Sequence, residues 1–129
     1  MKDPNINSKN PSNQQLNNLL KYYQFGRYID AEKLSLSITK KFPKHTFAWK
    51  VLGTVLKKTG RINEALFANQ KSVQLEPMNI ETNFNLGNTL QELGRLEEAE
   101  ACYRKAISIK PDYTEAHNNL GITLQRIGR

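Results

Sequence analysis

A repeat of 34 residues constrains this 129-residue chain more than any other feature. The pair Gly-Arg begins at positions 26, 60, 94 and 128, and the pair Leu-Gly begins at 52, 86 and 120. Alanine recurs at 31, 65 and 99, and proline recurs at 43, 77 and 111. Four markers with one period predict stacked units, each made of two helices, because periods of this length are typical of helical repeat arrays.

The third unit shows how each unit divides into two helices. Apolar side chains at helical spacing predict a first helix that ends at Gly94, where glycine favours a left-handed C-terminal turn. A second apolar stripe begins after Arg95 and stops before Pro111, since proline lacks the N–H donor that a continuing helix needs. Gly87 and Ala99 are small residues inside the two helices, which predicts that the helices approach closely there.

The period places the units at residues 12–45, 46–79 and 80–113, followed by a partial unit at 114–129. Residues 1–11 hold two prolines, three asparagines and few apolar side chains, which predicts a disordered leader. The last helix keeps Gly121, and we expect the natural chain to continue into further repeats. The alternative is that this helix caps the array.

Two units depart from the pattern. In the first unit, Asn18 and Leu19 stand where the other units have Leu-Gly. In the second unit, Asn69 stands where the third has Tyr103, and we expect Phe67 to fill that space instead.

The markers resemble those of the tetratricopeptide repeat. In the second unit the resemblance rests on the order Trp49, Leu52, Gly53, Gly60, Ala65 and Pro77. In the third unit it rests on Leu86, Gly87, Gly94, Ala99, Tyr103, Ala106 and Pro111. The resemblance implies an all-α solenoid of antiparallel helix pairs in a right-handed superhelix, in which the first helix of each pair lines a concave groove.

Composition limits the classes of function. The net charge of +7 comes from the front half of the chain, residues 1–79, but the lysines there are scattered, so we expect a solvated basic face rather than a nucleic-acid-binding surface. No apolar run is long enough for a membrane span, and the N-terminus lacks the apolar core of a secretory signal, so we expect a cytoplasmic protein. The single cysteine, Cys102, is expected to be a packing residue.

No arrangement of side chains predicts catalysis. His45 falls in a turn, and His117 is equivalent to Trp49 and Asn83, which suggests a position that any space-filling residue can occupy. The sequence has no phosphate-binding glycine loop and no metal-ligand spacing. We therefore expect that this chain is not an enzyme by itself and uses no cofactor or metal.

The predicted groove is the expected working surface. The residues that we expect to contact a bound peptide are Asn17, Lys50, Thr54, Lys57, Phe84, Asn85, Asn88, Gln91, Asn118, Asn119 and Ile122. Among them, Asn17, Asn85 and Asn119 occupy equivalent positions, and such amides can bond the backbone of an extended peptide of any sequence. The alternative is that these asparagines are solvated or cap neighbouring turns.

Two functions remain open. The first is a protein-interaction scaffold that holds a peptide or partner protein. The second is the substrate-recruiting arm of a larger transferase, because residues 83–121 resemble the repeats that precede O-linked N-acetylglucosamine transferase-like or sulfotransferase domains. A carboxylate clamp built on Lys50, Lys57 and Lys58 is a further option, which Glu92 opposes. The last helix, with Leu120 and Leu124, could also support self-association.

Overall fold

The computed structural model describes residues 10–128, and that part of the chain contains helices and no strand. The helices are α1 (Asn13–Gln24), α2 (Tyr28–Lys41), α3 (Thr46–Lys58), α4 (Ile62–Leu75), α5 (Ile80–Glu92), α6 (Leu96–Ile109) and α7 (Thr114–Ile127). Consecutive helices pack as antiparallel neighbours, which confirms the predicted all-α solenoid. Most of the predicted disordered leader, residues 1–9, lies outside the described residues.

The recurring glycines form the corners within the helix pairs, as predicted. Gly94 has a φ of +76°, and the glycines at 26, 60 and 128 are also left-handed. At the corner between α5 and α6, the backbone N–H of Gly94 donates to the carbonyl of Gln91 at 3.0 Å. The backbone N–H of Arg95 donates to the carbonyl of Leu90 at 2.9 Å. This pattern satisfies two carbonyls at the end of α5, which would otherwise lack partners.

The arginine after each corner glycine has a separate role. Arg27 and Arg95 each form an ion pair with a carboxylate three residues later, Asp30 and Glu98, at 2.7 and 2.8 Å. Arg61 pairs in the same way with Glu64, and it also reaches across to Glu32 of α2 at 2.6 Å. Asp30, Glu64 and Glu98 lie in the first turn of the second helices, where negative charge interacts favourably with the helix dipole.

The small residues inside the helices make room for specific side chains. A Cβ on Gly87 would lie 2.8 Å from Cε1 of Tyr103, whose ring is fully buried. In the second unit a Cβ on Gly53 would lie 2.3 Å from Oδ1 of Asn69. Asn69 itself fills the position of Tyr103, so the expectation for Phe67 is wrong: its side chain is 56% exposed.

Candidate functional site

The inner surface of the solenoid is formed by the first helices, α1, α3, α5 and α7. Two clefts lie side by side on it, and both are lined by Tyr23 and Thr54. The one with the larger apolar surface, the apolar cleft, is further lined by Leu20, Phe47, Lys50, Val51 and Glu81. The other, the basic cleft, is further lined by Lys57, Lys58, Asn85 and Glu92.

Four of the predicted contact residues line these clefts. They are Lys50, Thr54, Lys57 and Asn85. The hydroxyl of Thr54 donates to the backbone carbonyl of Lys50 at 2.9 Å, which leaves its oxygen able to accept a further hydrogen bond. The side chain of Asn85 forms no hydrogen bond with another described residue, so its amide is available to a ligand.

Two lysines of the clefts face carboxylates of α5. Nζ of Lys50 lies 3.6 Å from Glu81, and Nζ of Lys57 lies 3.9 Å from Glu92. Both glutamates are largely exposed, so these long ion pairs add little to the stability of the fold. Their carboxylates nevertheless reduce the positive charge that a carboxylate clamp would require.

Three other predicted contact residues belong to a hydrogen-bond network between α5, α6 and α7. Asn88 Oδ1 accepts from the buried hydroxyl of Tyr103 at 2.7 Å and from Nδ2 of Asn119 at 2.8 Å. The Tyr103 hydroxyl also lies 3.1 Å from Oε1 of Gln91, whose Nε2 donates to Thr123 at 2.9 Å. These amides join the helices, a role that neither the predicted peptide contact nor the alternative of solvation or turn capping included.

Burial shapes the chemistry of this network. It raises the pKa of Tyr103 to about 12, because the phenolate would lose its hydration. The hydroxyl therefore stays protonated at neutral pH and acts as a donor. The network is a fixed part of the wall between α5 and α7.

The remaining predicted contact residues fall into two groups. Phe84 is partly buried, and its ring packs 5.9 Å from that of Tyr103 and 5.1 Å from that of Tyr113. Asn17, Asn118 and Ile122 are exposed on α1 and α7. They do not line either cleft.

The position shared by Trp49, Asn83 and His117 has a specific requirement that the sequence interpretation missed. Each side chain directs a nitrogen to the carbonyl of the proline six residues earlier, at 2.8, 2.9 and 2.7 Å. Since a carbonyl only accepts, Nε2 of His117 must carry a proton. The signal was present in the sequence, because all three residue types have an N–H donor. This hydrogen bond gives His117 a structural role.

The other candidates for chemistry are also accounted for by packing. Burial lowers the pKa of His45, whose Nδ1 is buried and has no hydrogen-bond partner among residues 10–128. Burial raises the pKa of the Cys102 thiol to about 11, so it is protonated at neutral pH. Leu120, which was expected to support self-association, is only 8% exposed and packs in the core instead.

Within residues 10–128, no three or more His, Cys, Asp or Glu side chains gather in a way that could hold a metal ion. None of the described helices combines the length and apolar character required to cross a membrane.

Comparisons with known proteins place this geometry among helical repeats. Residues 90–128 match the family model described as TPR repeat. No curated protein matches the sequence. The structure of the first TPR of Spaghetti (RPAP3), bound to the HSP90 peptide SRMEEVD, is similar with a TM-score of 0.86 at 19% identity, over 94% of this chain and 98% of that one.

Two further structures come from longer chains. MamA is similar with a TM-score of 0.82 at 21% identity, over 88% of this chain and 62% of that one. A mutant of the Thermobaculum terrenum O-GlcNAc transferase is similar with a TM-score of 0.81 at 22% identity, over 96% of this chain and 23% of that one. This chain therefore spans less than a quarter of the transferase.

Proposed function

We propose that the concave groove of this chain binds an extended segment of a partner protein, because residues 90–128 match the TPR repeat model and the fold is similar to that of solved TPR domains. The observation that carries the proposal is the pair of adjoining clefts on the inner surface. They combine apolar walls, charged side chains and a free amide, which are the groups that contact peptides. The bound segment would contact α1, α3 and α5.

The similar domain of RPAP3 supports this proposal, since that domain is bound to an HSP90 peptide. The contacts in this chain would be its own. Asn85 and Thr54 would bond the backbone of the peptide, each contributing about 1 kcal/mol. Asn119, which occupies the position equivalent to Asn85, is engaged with Asn88 and is no longer part of the proposed contact set.

The carboxylate clamp is not part of the proposal. A clamp needs several cations that converge on a terminal carboxylate with no anion beside them. In this groove Glu81 and Glu92 face Lys50 and Lys57. The groove therefore does not require a free C-terminus, and an end-blocked peptide should still bind.

A second candidate function is the recruitment of substrate for a larger transferase. The structural similarity to part of the Thermobaculum terrenum transferase, over 96% of this chain, supports this second candidate. Both functions use the same groove. Transfer of a sugar to a groove-bound peptide by the full natural protein would support the second function, whereas binding without transfer would leave the scaffold function.

The direct test of the proposal is peptide binding by groove and control variants. A large library of random, end-blocked nonapeptides would be screened for binding to the purified protein. We expect the selected peptides to bind with dissociation constants of about 1 µM to 1 mM. Leu20→Glu, in the apolar cleft, should weaken the binding of these peptides. Lys105→Glu, at an exposed position on α6, should leave their binding unchanged. Failure to select any peptide, or equal sensitivity to both variants, would refute groove binding.

A further inference from the structure

The two clefts differ in chemistry and adjoin each other along α3. We propose that together they recognise a peptide in polyproline II conformation that carries a large apolar side chain and a carboxylate three residues apart. This inference rests on the proposed function, because it names the kind of peptide that the groove selects. It is argued from the lining of each cleft and from the distance between them.

The apolar cleft is suited to a large aliphatic or aromatic side chain. Val51, only 6% exposed, lies at its base, while Leu20 is 40% exposed at its edge. Tyr23 and Phe47 provide aromatic surface on either side. A ligand side chain would cover the exposed part of Leu20, and removing apolar surface from water is favourable.

The basic cleft is suited to a carboxylate. It contains two lysines, Lys57 and Lys58, and one glutamate, Glu92, so it keeps a net positive charge. The ion pair within it, between Lys57 and Glu92, is long at 3.9 Å and partly exposed. A ligand carboxylate can approach both lysines and bond Asn85 Nδ2, which has no partner among the described residues.

The distance between the clefts sets the spacing in the peptide. On α3 the apolar cleft is lined by residues from Phe47 to Thr54 and the basic cleft by residues from Thr54 to Lys58, so the midpoints of the two linings are about six residues apart. At about 1.5 Å per residue this separation is about 9 Å along the helix. A polyproline II segment rises about 3.1 Å per residue and repeats every three residues, so residues i and i+3 lie about 9 Å apart on one side.

A β-strand does not match this geometry. Its side chains alternate between faces, so residues i and i+3 point in opposite directions. Residues i and i+2 of a strand share a face but lie only about 7 Å apart, and residues i and i+4 lie about 13 Å apart. The match therefore favours a three-residue spacing and the polyproline II conformation.

The experiment uses end-blocked nonapeptides of serine and proline that carry one leucine and one glutamate. The glutamate is placed two, three or four residues from the leucine, in both orders, and binding is measured by fluorescence polarisation. We expect one order with the three-residue spacing to bind most tightly. Its glutamine counterpart should bind about fivefold more weakly, and its serine-for-leucine counterpart about tenfold more weakly.

Charge reversal assigns the contact to the basic cleft. Lys57→Glu and, separately, Lys58→Glu should weaken the best glutamate peptide and strengthen its lysine counterpart. Lys105→Glu on α6 is the matched control and should change neither affinity. Circular dichroism would confirm that each variant keeps its helical content, and at least Lys58→Glu is expected to do so because Lys58 is exposed, whereas the Lys57 side chain is 31% exposed.

The outcomes separate this inference from the proposed function. If library peptides bind in the groove and respond to Leu20→Glu, but spacing and charge have no effect, the proposed pair of side chains is wrong and groove binding stands. If the best spacing is two or four residues, the polyproline II geometry is wrong. If no library peptide binds, the groove function itself fails.

Discussion

The two halves of the groove use equivalent positions in opposite ways. Between α5 and α7, Asn119 donates to Asn88 and Gln91 donates to Thr123. Thirty-four residues earlier, the equivalents are Asn85, Thr54, Lys57 and Thr89, and no hydrogen bond joins Asn85 to Thr54 within the described residues. Amides that line a groove can therefore join neighbouring helices as readily as they bind a ligand.

The cause of the difference lies on the second helices. In the third unit, the long side chain of Tyr103 places its hydroxyl within reach of Asn88 and Gln91 on α5. In the second unit, Asn69 replaces tyrosine and bonds Thr89 of the following helix at 2.6 Å. Thr54 and Lys57 are equivalent to Asn88 and Gln91. Because α4 has no tyrosine at this position, no tyrosine hydroxyl donates a hydrogen bond to them. The residue at this position, Asn69 on α4 and Tyr103 on α6, therefore determines whether the groove amides above it are engaged in internal hydrogen bonds.

Among the substitutions that test this comparison, removing the tyrosine ring should lower the free energy of unfolding most. Tyr103→Ala deletes a fully buried aromatic side chain, and we expect a loss of about 3 to 5 kcal/mol in the free energy of unfolding. Tyr103→Phe keeps the ring and removes only the hydroxyl, so about 1 to 2 kcal/mol should be lost. Urea denaturation measures both. Equal losses would show that the ring contributes nothing beyond its hydroxyl.

The glycine beneath that ring gives the next largest effect. Gly87→Leu would place a side chain against Tyr103, and we expect a loss of about 1 to 3 kcal/mol from overpacking. Gly121→Leu is the matched control, because a Cβ there meets nothing within 4 Å and leucine favours the helix. We expect no loss of stability for the control in thermal denaturation. A stable Gly87→Leu protein would contradict this account of the packing.

The sequence predicted the helices better than it predicted the groove. The period, the corner glycines and the prolines act locally, so the order and approximate ends of the helices follow from residue type. Whether Asn85 or Asn119 is free depends on side chains 31 residues away, as in the pair of Asn119 with Asn88. That partnership follows from the distance between helices and from the length of Tyr103, neither of which appears in a residue pattern.

The shared donor position gives the smallest of the three stability effects. His117→Leu removes the hydrogen bond to Pro111 but keeps a similar volume, and we expect a loss of about 1 kcal/mol. His117→Asn should retain most of the stability, because Asn83 makes the equivalent bond to Pro77. Chemical denaturation of both variants compares them. If leucine were as good as asparagine, filling space would suffice at this position.

The central claim is that the groove has one half closed by internal hydrogen bonds and one half open to a ligand. The exchange of side-chain amide protons with water, measured by ¹⁵N NMR, tests it most directly. We predict slow exchange for Asn119 and Gln91, and fast exchange for Asn85 that slows when a groove-binding peptide is added. Fast exchange at Asn119 and Gln91, with Asn85 unchanged by the peptide, would contradict the claim.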